Sequence, residues 1–115
     1  MLDIYGIKNC DTVKKTLKWL DAEGISYTFH DFKKEAPTAD LVKDWVEVLG
    51  VDLVLNKRGT TWRKLEAADQ AKAETVEGAV ALMVEHSSMI KRPLIVGDGH
   101  MSVGFTPDVQ AKLKG

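Results

Sequence analysis

The chain predicts an α/β fold, a mixed four-stranded sheet built in the order β-α-β … β-β-α around a central block of helices. Three observations in its 115 residues carry that expectation. The first thirty residues pass from a two-residue apolar period to a helical one and back. The stretch from about 37 to 88 carries helix-start signals and helical spacing. The end holds a short apolar run, a glycine turn and a β-rich return before a threonine-proline helix start.

Leu2-Asp3-Ile4-Tyr5 alternates apolar and polar residues, as a half-buried strand does, and Gly6 ends the run. Ile7 to Thr12 reads as a loop rich in helix-capping side chains. From Val13 the period changes: Val13, Thr16, Leu17 and Leu20 share one helical face, with Lys14, Lys15, Lys18 and Asp21 on the other. Gly24 fits the left-handed position just past a helix end. Ile25 to Phe29 alternates again and is rich in β-formers, so it reads as a second strand. A β-loop-α-β crossover implies that the two strands run parallel.

Pro37-Thr38 starts the helical block, with Thr38 capping a helix that carries Leu41, Val42, Trp45, Val46 and Leu49 and closes at Gly50. Asp52 is read as the cap of a short turn through Leu53 to Leu55. Asn56 to Thr61 is read as a polar loop, and Trp62 to Leu65 as a further helical turn. A longer helix over about residues 70 to 86 would direct Ala73, Val76, Val80, Met83 and Val84 to the core, with Gly78 weakening it. Leu94-Ile95-Val96 then forms a buried strand, Gly97-Asp98-Gly99 a turn, and His100 to Phe105 an antiparallel return. Thr106-Pro107 opens a last helix anchored by Val109 and Leu113.

A hydrophobic content of 44% is enough for one core, so residues 1–115 are read as a single domain. The net charge of −1 supplies no global field toward nucleic acid or an anionic membrane. The N-terminal residues lack the basic stretch and apolar core of a signal peptide. No apolar run approaches the roughly 20 residues of a membrane helix. A lone cysteine forms no internal disulfide and suits a reducing compartment, so the expected location is cytoplasmic.

That cysteine, Cys10, follows a strand and a short loop and opens a helix. There the helix dipole favours negative charge, and the free N–H groups of the first turn can bond a thiolate. Cysteines so placed have pKa values lowered from about 8.5 to roughly 3.5–7.5. Lys8 and Lys14 would add to the effect and Asp11 would oppose it. A small buried hydrophobe is the alternative role for a free cysteine. The polar neighbours Lys8, Asn9, Asp11 and Thr12 argue against it. Three residues on stands Val13, so the chain has no Cys-x-x-Cys dithiol, and the second electron must come from an external thiol.

Arg92 precedes Pro93 at the entry to the third strand, where an X-Pro bond can be cis. It is a candidate anion holder, weighed against a solvated charge beside Lys91. Arg58 sits with Thr60 and Thr61 in a loop that offers N–H groups and hydroxyls to an anion. Arg63, beside Trp62, is the weakest of the three arginines and either stacks on that ring or lies in solvent. His30, His86 and His100 show no metal-ligand spacing, with each other or with Cys10, so no metal site is expected.

Tyr5 to Thr12 (Tyr-Gly-Ile-Lys-Asn-Cys-Asp-Thr), Arg58 to Leu65 (Arg-Gly-Thr-Thr-Trp-Arg-Lys-Leu) and Ile90 to Leu94 (Ile-Lys-Arg-Pro-Leu) together resemble the YffB branch of the ArsC/Spx family. The resemblance spans essentially the whole chain. It implies a thioredoxin/glutaredoxin-like fold with a helical insertion, Cys10 as the functional thiol, Arg92 as the active-site arginine and a cis Pro93. It further implies a monothiol, glutathione-dependent thiol-disulfide reductase. Cys10 and Arg92 are then the catalytic pair, while Lys8, Asn9, Arg58, Thr60, Thr61 and Pro93 bind substrate. Glutathione would be a co-substrate rather than a bound cofactor, and the other partner a mixed or protein disulfide.

Two departures from the family pattern bear on the alternatives. Arsenate reductases of this family use three arginines. Aligned through Trp62, the first falls on Asn56 with Arg58 nearby, and the second is Arg92. The third has no counterpart in Gly104-Phe105-Thr106-Pro107, and the serine those enzymes carry three residues after the cysteine is Val13 here. Losing a charge-assisted contact weakens an oxyanion site, which counts against arsenate. Spx-type regulators, whose partner is RNA polymerase, usually carry a Cys-x-x-Cys switch that Val13 removes.

Overall fold

The computed structural model describes every residue except Asp98 and Gly115. In chain order the elements are β1 (Leu2–Gly6), α1 (Asp11–Glu23), β2 (Tyr27–Asp31), α2 (Ala39–Leu49), α3 (Val51–Val54), α4 (Thr60–Lys64), α5 (Ala67–Ala71), α6 (Val76–Glu85), β3 (Leu94–Gly97), β4 (His100–Val103) and α7 (Pro107–Lys114). Short 3₁₀ turns lie at Lys72–Glu74 and Ser87–Met89. The chain divides into two compact units, Met1–Glu35 with Arg92–Gly115, and Ala36–Lys91. The turn read at Gly97-Asp98-Gly99 includes Asp98, which lies outside the described residues.

The first unit carries the four-stranded sheet, in the order β2-β1-β3-β4. β1 pairs with β2 in parallel, Ile4 opposite Phe29, and with β3 antiparallel, Ile4 opposite Ile95; β4 returns antiparallel on β3. The alternation read in β1 turns Leu2 and Ile4 to one face, where they meet Ile95, Leu20 of α1 and Val109 of α7. Burying this apolar surface is what holds both helices to the sheet. The Trp19 ring meets Phe105 edge-on at 5.5 Å. Facing the other way, Asp3 and Tyr5 engage β2: the Asp3 carboxylate bonds His30 Nε2 at 2.9 Å, and the Tyr5 ring stacks on His30 at 4.6 Å.

α1 ends in a Schellman motif. Gly24 adopts φ 69°, its N–H bonds the Asp21 carbonyl, and the N–H of Ile25 bonds the Leu20 carbonyl. This motif consumes Ile25 and explains a difference from the sequence reading. The second strand starts at Tyr27 rather than Ile25 and runs to Asp31, in register with Leu2–Gly6.

In the second unit α2 buries Val42, Trp45 and Val46, and Thr38 caps it as expected, its Oγ1 accepting from the Leu41 N–H at 3.2 Å. Asp52 is not the cap of the following turn: Gly50, at φ 90°, closes α2 and opens α3, which leaves Asp52 inside the first turn. The single helix read over residues 70 to 86 is broken into α5, a 3₁₀ turn and α6. Thr75 is extended and caps α6, accepting from the Gly78 N–H at 3.0 Å. The chain doubles back so tightly that a Cβ on Gly78 would stand 1.8 Å from the Lys72 carbonyl oxygen. Glycine there meets a close backbone approach, a stronger constraint than the helix propensity by which it was read. The break also rotates the buried face. Ala79, Val80, Leu82 and Met83 are inside, whereas Val76, expected in the core, is 44% exposed.

Candidate active site

Cys10 occupies the N-cap of α1, with extended backbone (φ −91°, ψ 124°). Its N–H closes a turn on the Ile7 carbonyl, and its own carbonyl accepts the first helical bond from the Lys14 N–H at 2.9 Å. The thiol is partly buried. Burial alone would raise its pKa, since a thiolate is costly to desolvate. The N–H groups of Val13 and Thr12, and then the hydrogen bond and charge of the Arg92 side chain, outweigh that, so Cys10 ionises below the ordinary thiol range. The sulfur makes no capping hydrogen bond of the kind a serine or aspartate oxygen makes at a helix end. Its interaction with these amides is instead the long, soft one of sulfur, strongest for the thiolate.

The resemblance paired Cys10 with Arg92, and both lie in the first unit, where the Arg92 side chain bonds the thiol. Arg92 enters on the β3 side through a cis bond to Pro93, and the Pro93 carbonyl accepts from the Gly104 N–H at 2.8 Å. Lys8 and Asn9 are exposed on the loop between β1 and α1. Lys8, Lys14 and Asp11, expected to tune the thiol, are not among the groups that shift it; the amides and Arg92 are.

One site residue escaped the sequence reading. Gly6 appeared there only as the end of a strand. A Cβ at Gly6 would lie 2.8 Å from Val13 Cγ2 and 3.8 Å from Arg92 Cβ. Gly6 is thus the point where β1, the first turn of α1 and Arg92 converge. Glycine inside a strand is the available signal, because it marks a close approach of neighbouring chain.

Arg58, Thr60 and Thr61 belong to the second unit. The Arg58 N–H bonds Asn56 Oδ1 at 3.0 Å, and Thr61 Oγ1 lies 2.8 Å from Ser88 Oγ. Thr60 and Thr61 are not loop residues as read; they form the first turn of α4, which starts two residues before the expected Trp62 because Gly59 takes the cap position. The cation over the Trp62 ring is Lys57, at 5.4 Å, while Arg63 is exposed. No group of three histidine, cysteine or acidic residues could hold a metal among the described residues. No helix of the described residues is long and apolar enough to cross a membrane.

The ArsC family profile matches residues 5–113. An uncharacterized protein of Haemophilus influenzae is 38% identical over 105 residues, which cover 91% of each chain. Among solved structures, a YffB protein superposes with a TM-score of 0.92 at 40% identity, over 100% of both chains. An arsenate reductase (ArsC) related protein from Brucella melitensis superposes at 0.74 and 41% identity, over 96% of this chain and 92% of the other. These neighbours share the thioredoxin-like fold that the family resemblance implied, and it agrees with the element order.

Proposed function

The chain belongs to the ArsC family, and from that premise we propose that it is a monothiol, glutathione-dependent thiol-disulfide reductase with Cys10 as nucleophile. The observation that carries the reading is the pairing of one thiolate-favouring cysteine with Arg92, where the residue one helical turn on is a fully buried valine. Such a site can open a disulfide but cannot resolve the product itself.

The chemistry follows from that. Cys10 thiolate attacks the glutathionyl sulfur of a mixed disulfide, forming a Cys10–glutathione disulfide and expelling the substrate thiolate, which takes a proton from solvent. A glutathione thiolate then attacks the glutathionyl sulfur and releases Cys10 as thiolate, with oxidised glutathione leaving. The net reaction is an exchange in which the incoming glutathione thiol is oxidised to the disulfide level, the substrate sulfur is reduced to a thiol, and the number of disulfides is unchanged. Arg92 and the amides of Val13 and Thr12 stabilise Cys10 both as attacking and as leaving group, which accelerates exchange because a lower leaving-group pKa departs faster. Lys8 and Asn9 on the thiol loop, Pro93 beside Arg92, and Arg58, Thr60 and Thr61 in the second unit are the groups assigned to substrate binding. Cytoplasm, where glutathione stays reduced, is the compartment this cycle needs.

Two competing readings separate from it by experiment. An arsenate reductase would turn over arsenate with a thiol donor, and a regulator would retain RNA polymerase with or without Cys10. The deciding measurement follows reduction of a glutathionylated peptide by wild type and Cys10→Ser. Activity that survives in the serine variant would remove the proposed nucleophile.

A further inference from the structure

The buried face of α1 holds two apolar residues, Val13 and Leu20, and one polar residue, Thr16. All three are fully enclosed, at 0% exposure. A hydroxyl taken out of water is costly unless it is bonded, and valine would fill nearly the same space without one. The Thr16 hydroxyl is bonded: Oγ1 donates to the Thr12 carbonyl oxygen at 2.7 Å, one helical turn back. A back-bond of this kind does not strengthen a helix and slightly weakens it. Helix stability therefore does not account for the hydroxyl.

The carbonyl it bonds points to another role. The Thr12 carbonyl and the Val13 N–H are the two ends of one planar, conjugated peptide group. That N–H is foremost among the groups that favour the Cys10 thiolate, ahead of the Thr12 N–H and the Arg92 side chain. The charged neighbours Lys8, Asp11 and Lys14 are not among those groups. A proton donated to the carbonyl oxygen draws electron density from the nitrogen, which makes the N–H a stronger donor. Hydrogen bonds in series reinforce one another in this way, most of all where water is excluded. The series here runs from Thr16 Oγ1 through the peptide group to the Cys10 sulfur.

We propose that Thr16 is a positioning residue for the thiol, its hydroxyl holding and polarising the Thr12–Val13 peptide group so that the Val13 N–H meets the Cys10 sulfur as a stronger donor. Two substitutions separate the hydroxyl from the methyl, read by the pH dependence of Cys10 alkylation in the full-length chain. Thr16→Val keeps the shape and removes the donor. Its alkylation midpoint should rise by about 0.1–0.7 pH unit, a tenth to three-tenths of a charge-assisted bond. Thr16→Ser keeps the donor and removes a buried methyl. Its urea midpoint should fall, while its alkylation midpoint stays with wild type.

The Val13 amide proton gives a second reading. Its shift between neutral and ionised Cys10 should be smaller in Thr16→Val than in wild type or Thr16→Ser. The rise in Thr16→Val should also persist in an Arg92→Gln background, because the helix carries it and the arginine does not. An unmoved midpoint with an unchanged Val13 response in Thr16→Val would overturn the inference. So would a midpoint that follows the lost methyl, moving in Thr16→Ser and not in Thr16→Val. The inference rests on Cys10 as the reductase nucleophile, but alkylation reads the thiol without any disulfide substrate. A midpoint that moves in Thr16→Val while wild type fails to reduce the glutathionylated peptide would sink the reductase reading and uphold the role of Thr16.

Discussion

Gly6→Ala is a one-carbon perturbation of the thiol site that leaves every charged group in place. The added Cβ would stand 2.8 Å from Val13 Cγ2, short by about 0.7–1.2 Å of the ~3.5–4.0 Å at which carbons pack. Val13 has no room to retreat, being fully buried, and its branched side chain is stiff at χ1. Relief must come from moving the first turn of α1 off the end of β1. That turn carries Cys10 and the amides of Thr12 and Val13, so the displacement separates the sulfur from the groups that favour its thiolate. Overpacking of this kind costs about 1–3 kcal/mol, partly offset by the roughly 0.5–1 kcal/mol that alanine gains over glycine in regular structure. A net loss of about 1–2 kcal/mol in urea unfolding is expected, together with an upward shift in the pH midpoint of Cys10 alkylation. Val13→Ala removes the obstructing methyls, so in that background Gly6→Ala should be nearly neutral and the alkylation midpoint should return. The reasoning is refuted if the alanine penalty is the same with Val13 present or absent, or if stability falls while the thiol profile does not move.

Arg92→Gln removes one hydrogen bond and one charge from the sulfur; the alkylation midpoint should rise and the rate at pH 7 fall, and an unmoved midpoint would dismiss Arg92 as a thiolate partner. Because the folded chain holds Cys10 below its ordinary pKa, the folded state binds fewer protons than the unfolded one across that interval. The resulting stabilisation is full above the unfolded thiol's pKa, near 8.5, and is lost as pH falls through the folded value. The urea midpoint of wild type relative to Cys10→Ser should therefore climb with pH and level off above about 8.5, whereas a difference flat in pH would contradict it. Gly78→Ala places a carbon 1.8 Å from a backbone oxygen, which no side-chain rotation relieves, and should cost about 3 kcal/mol against about 1 kcal/mol for removing the cap in Thr75→Ala. Denaturation showing Gly78→Ala the milder of the two would contradict the tight approach to Lys72.

The parts of this molecule written in local pattern were readable from its sequence. Leu2 and Ile4 announced the strand, Val13, Thr16 and Leu20 the helix face, and Gly24 its left-handed end. The position of Cys10 at the helix start was readable for the same reason, since strand, loop and helix follow one another within a dozen residues. What escaped depends on partners remote in the chain or on a geometric coincidence. The start of β2 is set by the Schellman turn and by register against β1, not by its own alternation. The break at Thr75 hides in a stretch whose apolar spacing fits one continuous helix, and only the return of the Lys72 carbonyl onto Gly78 exposes it. Gly6 is informative only once Val13 and Arg92 are seen to crowd it. Thr60 and Thr61 were assigned to the right segment but the wrong conformation, because Gly59 serves as a cap without any capping side chain to advertise it.

The division of the sheet unit between the two ends of the chain bears on how the protein is made. Strand β1, the thiol loop and α1 leave the ribosome early, whereas Arg92 and β3 follow only after all of Ala36–Lys91 has been translated. At about 5–20 residues per second, the interval between Cys10 and Arg92 is on the order of 4–16 s. During it the nascent chain carries its cysteine without the cation that completes the site, and without β3 to support β1. The amides of α1 are local and can act once that helix forms; the arginine cannot. The full set of groups that favours the Cys10 thiolate is thus assembled only once Arg92 and β3 have been made.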